Sequence, residues 1–136
     1  GTEARARTHK LELSNGATVD LKPTKVKKEA FLLKARSPGG YAKAKTKQLE
    51  AAKDVDEILE ESDLGELSIT DRSNIIPYAH MNVVPMIGSE FEGLDGSAIS
   101  QYQEELFQFI YLNFTDRRIT ESTLDNYKKK ELERWE

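Results

Sequence analysis

The chain has 136 residues, 38% of them hydrophobic and 32% charged, with a formal net charge of −4 and no cysteine. That length supports one hydrophobic core burying roughly two-thirds of the surface an unfolded chain exposes, and the missing thiols exclude a disulfide scaffold and every thiolate metal site. The longest apolar stretch, Phe107 to Phe114, is interrupted by Gln108 and Asn113 and falls far short of the roughly 20 residues that span a bilayer, so neither a membrane helix nor a signal peptide is expected.

Charge is segregated along the sequence. Between Lys22 and Lys53 only Glu29 and Glu50 oppose a run of lysines and Arg36, whereas from Asp54 to Asp116 Arg72 is the only base. Such a chain either neutralises itself on folding or meets an anionic partner with its basic segment, through Lys25, Lys27, Lys28, Lys34, Arg36, Lys43, Lys45 and Lys47. Gly1 in place of a methionine reads as a cleavage scar or as the start of a fragment, and the cysteine-free composition points to the cytoplasm.

Taken in order, residues 1–8 read as a flexible lead and residues 9–136 as a single α+β domain. His9 to Leu21 alternates about Ser14-Asn15-Gly16 and predicts a β-hairpin. A loop of three residues with Gly16 left-handed is preferred, because it pairs Leu13 with Ala17, Leu11 with Val19 and His9 with Leu21 on an apolar face and sets Lys10 against Asp20 on the other. Beyond Pro23, Thr24 is read as the cap of a helix to about Arg36 that buries Val26, Ala30, Leu33 and either Phe31 or Leu32. Ser37-Pro38-Gly39-Gly40 ends it and opens a mobile basic linker over 37–47. Tyr41 to Ser62 has the composition of a helix with Leu49, Ala52, Val55 and Leu59 in a row, but lysines lead it and glutamates end it. That order opposes the helix dipole, so firm helix is expected only from about Lys47.

After a break at Asp63-Leu64-Gly65, a short helix is placed near Asn74, with Ile75, Ile76, Ala79 and His80, so that Pro77 falls in its first turn. Pro85, Gly88, Gly93 and Gly96 predict an irregular stretch from Val83 to Ser97 with a short strand at Glu90 to Glu92. Ser100 and Gln103 form a capping-box pattern before a helix to Phe114 that is apolar on two adjoining rows, one of them Phe107, Tyr111 and Phe114. A last helix starts near Glu121 with Ser122 and Asp125 as its cap and Leu124, Tyr127, Leu132 and Trp135 as its stripe. The triplet Thr-Asp-Arg occurs at Thr70 to Arg72 and at Thr115 to Arg117, but the flanks differ and it does not read as a repeat. The fold class expected is α+β, mainly helical: an N-terminal hairpin followed by four to five helices around a single core.

Chemistry is hard to assemble from these residues. His9 and His80 are the only histidines, too few for zinc, copper or iron without cysteine, and the acidic run Asp54 to Asp63 has Ile58 and Leu59 where a calcium loop needs a ligand and a glycine. No Gly-x-Ser-x-Gly elbow or phosphate loop is present. No cofactor is expected, and the reading is of a non-enzymatic interaction domain. Phe107, Tyr111, Phe114, Tyr127 and Trp135 are the candidate contacts for another protein subunit or for self-association. A nucleic-acid-binding domain using the basic segment 22–53, or a generic adaptor, is the alternative.

Six pieces, Leu13-Ser-Asn-Gly16, Val19-Asp-Leu-Lys-Pro23, Glu29-Ala-Phe-Leu-Leu33, Asp56-Glu-Ile-Leu59, Asp71-Arg72 with Ile75-Ile76, and Gly88-Ser-Glu-Phe91, stand in an order that resembles the baseplate-hub and tail-assembly proteins of contractile-tailed phages. The resemblance covers about 80 residues and departs at Pro77 and Pro85. It implies a virion component or assembly chaperone working through protein contacts, in host cytoplasm or virion.

Overall fold

The computed structural model describes residues 7–25, 29–78 and 80–135. Its first element is the expected hairpin. Strand β1 (His9–Glu12) pairs antiparallel with β2 (Thr18–Leu21) in the register His9↔Leu21, Lys10↔Asp20, Leu11↔Val19 and Glu12↔Thr18. The Leu13 N–H donates to the Ala17 carbonyl at 2.8 Å, Asn15 Oδ1 accepts from the Ala17 N–H at 3.0 Å, and Gly16 takes the left-handed position at φ +85°. Apart from half-buried Val19, every residue of the two strands is exposed, so the hairpin stands off the core.

The segment read as a helix from Thr24 to Arg36 holds no helix among its described residues and is a strand from Ala30 onward, residues 26–28 lying outside the described residues. This strand, β3 (Ala30–Pro38), pairs along its whole length with β6 (Phe91–Ile99), from Ala30↔Ile99 to Pro38↔Phe91. The other side of β6 is taken by β5 (Asn82–Ile87), so the sheet runs β3-β6-β5. Alternation explains the strand: Phe31, Leu33 and Ala35 turn to one face, while Leu32, Lys34 and Arg36 turn to the other. The stretch expected to be irregular, Val83 to Ser97, thus supplies the central strand of the sheet and one of its edges. Gly93 belongs there because a β-carbon would lie 2.0 Å from the Ala35 carbonyl oxygen, an approach only a bare backbone permits.

Helix α4 (Gln103–Thr115) lies across the apolar face of the sheet. A β-carbon at Gly96 would meet Leu106 and Ile110 at 3.4 and 3.5 Å, and the Phe31 and Phe107 rings are 5.6 Å apart. Beneath it, Leu64, Met81, Ala98, Leu106 and Phe109 form the buried cluster. The Ser100/Gln103 box is not made; a single 3₁₀ turn, Ser100–Tyr102, leads into α4 with no side-chain cap.

The long helix expected up to Ser62 is two short ones, α1 (Leu49–Lys53) and α2 (Val55–Glu60), preceded by 3₁₀ turns at Tyr41–Lys43 and Thr46–Gln48. Helix α3 (Ile69–Tyr78) begins earlier than expected, because Ser68 and Asp71 cap it reciprocally: Asp71 accepts from the Ser68 N–H at 3.0 Å and the Ser68 hydroxyl accepts from the Asp71 N–H at 3.1 Å. Pro77 therefore falls in its last turn, where it stops the helix rather than starting it. Two short strands, β4 (Asp63–Leu64) and β7 (Arg117–Arg118), pair antiparallel. Helix α5 (Glu121–Arg134) is capped by Thr120 with Thr123, whose backbone and hydroxyl groups exchange bonds of 3.1 and 3.2 Å, and not by Ser122 and Asp125.

The expectation of a mainly helical chain around a single core is corrected on both counts. Three separate sheets share the described residues with five α-helices, and the hairpin sheet contributes nothing to the buried cluster.

Candidate functional site

A helix as short as α2 leaves all of its last carbonyls without intrahelical donors. Ser62 supplies two, its N–H at 3.3 Å and its hydroxyl at 2.7 Å both donating to the Leu59 carbonyl, and two arginines from distant parts of the sequence add the rest. Arg72, on α3, donates through Nη2 to the carbonyls of Glu60 at 2.8 Å and Ser62 at 2.6 Å. Arg117, held in place by the Leu64↔Arg117 pairing of β4 and β7, donates through Nη1 to the Leu59 carbonyl and to Ser62 Oγ at 2.8 Å. These are the two Thr-Asp-Arg arginines. The repeated triplet was the one signal in the sequence that could have marked them, and nothing in its flanks said that they meet.

The pair is electrostatically expensive. Arg72 is only 7% exposed, and burial lowers its pKa against the opposing pull of Asp63, Glu61 and Glu60. Arg117 is pulled down to about 10, first by burial and then by the positive charge of Arg72, with Glu60 opposing. Glu60 itself titrates above the usual carboxylate range, through burial first and then Asp56. Among the described residues neither guanidinium has a carboxylate within ion-pair distance, and the Nε–H of Arg72 has no partner.

Beside the arginines the sheet and α4 splay apart around an apolar cleft of about 500 Å³. Ala35, Pro85 and Leu94 of the sheet, Leu59 of α2 and Phe114 of α4 line it, together with Arg117. A smaller cavity of about 150 Å³ shares Leu59, Pro85 and Arg117 with the cleft and is also lined by Arg72 and Glu60. Apolar walls with a few convergent polar groups are the usual character of a small-molecule site, and the larger volume lies within the roughly 300–1,000 Å³ common for one.

Of the residues picked out from sequence, Arg36 and Phe114 line this cleft. Arg36 is engaged by Asp95 at 2.7 Å and lies 5.5 Å from the Phe91 ring centroid. Lys34 shares its sheet face but is solvent-exposed, as are Lys25, Lys43, Lys45 and Lys47, which lie on other segments; Lys27 and Lys28 are outside the described residues. Phe107, Tyr111 and Phe114 share one face of α4, Tyr111 at 66% and Phe114 at 69% exposure, while Phe107 is partly covered by Phe31. Tyr127 is half-buried beside Asp54, and Trp135, beyond the end of α5, is 86% exposed. Among the described residues no group of three or more His, Cys, Asp or Glu side chains is placed to hold a metal ion, and no helix is long and apolar enough to cross a membrane.

No protein-family model matches the sequence, and no curated protein matches it significantly. Solved structures do match. The periplasmic protease PqqL from Escherichia coli superposes on 98% of this chain with a TM-score of 0.81 at 21% identity. A mutant of the ferredoxin protease FusC in complex with Arabidopsis ferredoxin superposes on 93% with a TM-score of 0.79 at 18% identity, and a protease from Helicobacter pylori on 96% with 0.74 at 11%. The chain spans 15%, 14% and 32% of the lengths of those three. At these identities the likeness is one of fold: the chain is built like a segment found within proteases.

That likeness overturns the phage tail resemblance, with its baseplate and assembly-chaperone role, and the expectation of a stand-alone non-enzymatic adaptor. The physical reason lies in the pieces themselves. Glu29-Ala-Phe-Leu-Leu33, read as a charged helix, leads into and forms part of β3, and Gly88-Ser-Glu-Phe91 is the turn joining β5 to β6. The nucleic-acid alternative gains nothing from the comparisons either, and two of its basic residues, Arg36 and Lys53, are already paired with Asp95 and Glu50.

Proposed function

We propose that the chain is a structural unit of a larger peptidase acting on polypeptides. The observation that carries this reading is the superposition of 98% of the chain on a protease with a TM-score of 0.81. On this reading residues 9–136 form one building unit, and further protein completes it by packing against the apolar surface left open by Phe107, Tyr111 and Phe114 on α4 and by Trp135, with Tyr127 supporting α5 from within. The exposed lysines at 25, 34, 43, 45 and 47, together with Lys27 and Lys28, offer contacts to acidic stretches of a polypeptide. The cytoplasm remains the proposed compartment on composition, and fractionation of the host cell decides it; recovery from the periplasm, the place named for PqqL, would replace it.

The test is proteolysis by the complete polypeptide in which this sequence occurs. Purified, it is expected to cleave an unfolded casein and an internally quenched peptide. Replacing both Tyr111 and Phe114 by glutamate is expected to lower that rate about tenfold by loosening the packing of this unit on the remainder, about 1.4 kcal/mol of barrier. No cleavage of either substrate by the unaltered polypeptide would overturn the reading.

A further inference from the structure

The two arginines beside the apolar cleft, Arg72 buried and Arg117 half-buried, have no carboxylate within ion-pair distance among the described residues, and Asp63, Glu61 and Glu60 oppose their charge only from farther off. Burying a charge is unfavourable unless a counter-ion and hydrogen bonds replace the lost water. Here the carbonyls of Leu59, Glu60 and Ser62 and the Ser62 hydroxyl oxygen take one nitrogen of each guanidinium, which satisfies hydrogen bonds but leaves two like charges near each other. Nothing bonds the Nε–H of Arg72, in a side chain more than nine-tenths buried and lining the inner cavity. Arg117 stands where that cavity and the cleft meet, so a ligand reaching it from outside must lie along Leu94, Pro85 and Phe114. A negative head on an apolar stem fits this order of surfaces. Arg36, the other cation on the cleft wall, is already engaged by Asp95 at 2.7 Å, and Glu92 on that wall and Glu60 in the inner cavity disfavour a second negative group, so the fit is to one charge and not to a phosphate or a dicarboxylate.

We propose that the cleft is a binding site for a small apolar monocarboxylate, whose carboxylate is taken by Arg117 with Arg72 behind it and whose stem lies against Leu94 and Pro85. Two sources carry that chemistry, a medium-chain fatty acid and the apolar C-terminal residue of a peptide. The site stands on its own geometry, whether or not the chain belongs to a peptidase.

Calorimetric titration of the full chain with four probes tests it: octanoate, octanamide, N-acetyl-phenylalanine and N-acetyl-phenylalaninamide. At least one acid is expected to bind about tenfold or more tightly than its amide, the difference that a charge-assisted hydrogen bond in a partly dry site supplies. Binding of octanoate alone identifies the fatty stem, and binding of N-acetyl-phenylalanine alone identifies the peptide C-terminus. Equal binding of acids and amides, or no heat from any probe at millimolar concentration, would overturn the proposal. Arg117→Gln is expected to erase the preference for acids. Because that change also uncaps α2, Ala35→Phe provides a second variant: it fills the cleft, leaves both arginines in place and is expected to abolish binding. Undiminished binding to Ala35→Phe would place the ligand elsewhere.

Discussion

Tyr127 keeps its phenolic proton up to about 12, first because burial disfavours the phenolate and then because Asp54 lies beside it, with Glu131 and Glu57 adding negative charge. The unfolded chain would release that proton at about 10. A group whose folded pKa is raised gives its full stabilisation below the unfolded value and loses it as pH rises through the folded one. Stability is therefore expected to fall between about pH 10 and 12. Ultraviolet titration of tyrosinate reads this directly, and Tyr127→Phe is expected to remove amplitude from the latest part of the curve. Arg72 raises the converse question, whether a buried cation helps at all. Arg72→Met would leave the Glu60 and Ser62 carbonyls without their donor, at about 1–3 kcal/mol for a buried unsatisfied group, while relieving repulsion on Arg117. A net loss of about 2 kcal/mol in urea unfolding is expected. An unchanged midpoint would mean that repulsion and desolvation cancel both hydrogen bonds.

At the scale of elements, local chemistry decided where helices begin. Ser68→Ala removes both the hydroxyl acceptor for the Asp71 N–H and a donor to its carboxylate, and is expected to cost about 1 kcal/mol in thermal or urea unfolding. The Ser68 hydroxyl first, and then the Ser68 N–H, hold the Asp71 carboxyl below its ordinary range, so the stability these two bonds give is present above the unfolded carboxylate pKa and lost as pH falls through the folded one. Gly93→Ala acts differently: its methyl would enter the Ala35 carbonyl and force β3 from β6, a change expected in the amide spectrum of the whole sheet. These elements also show how far the sequence could be read. The hairpin was legible down to register because its turn and its alternation agree and both are local. β3 was not, because Ala30-Phe-Leu-Leu-Lys-Ala satisfies a helical row as well as a strand, and the choice is made by β6, far along the chain. β5 and β6 were hidden by glycines and a proline that look like breakers locally yet sit in close strand packing. At the candidate site, Arg36 and Phe114 were visible as a charge and an exposed aromatic. Arg72 and Arg117 were not, since they meet only through tertiary contacts, Arg117 by the pairing of β7 with β4 and Arg72 by its bonds from α3 to the end of α2.

Across the whole molecule, the acidic run after Asp54 finds its counter-charges in α5 and not in the basic segment before it. Lys130 pairs with Glu61, and Arg134 with Glu57 at 2.9 Å, whereas among the described residues the segment from Lys22 to Lys53 crosses to the acidic half only through Arg36 and Asp95, at 2.7 Å. The chain thus holds α5 partly by partly exposed ion pairs, the central sheet by burial under α4, and the hairpin by little beyond its own cross-strand bonds. Elements held so differently open at different free energies, and native-state hydrogen exchange orders them. The β1 and β2 amides are expected to exchange first, and those of β6, including Leu94 and Ala98, last. In 1 M salt, where the screening length is about 3 Å, the α5 amides should exchange earlier while β6 is unmoved. Protection of β1 and β2 equal to that of β6 would mean instead that residues 9–136 unfold as one cooperative body, with the hairpin held by contacts that its exposed strands do not display.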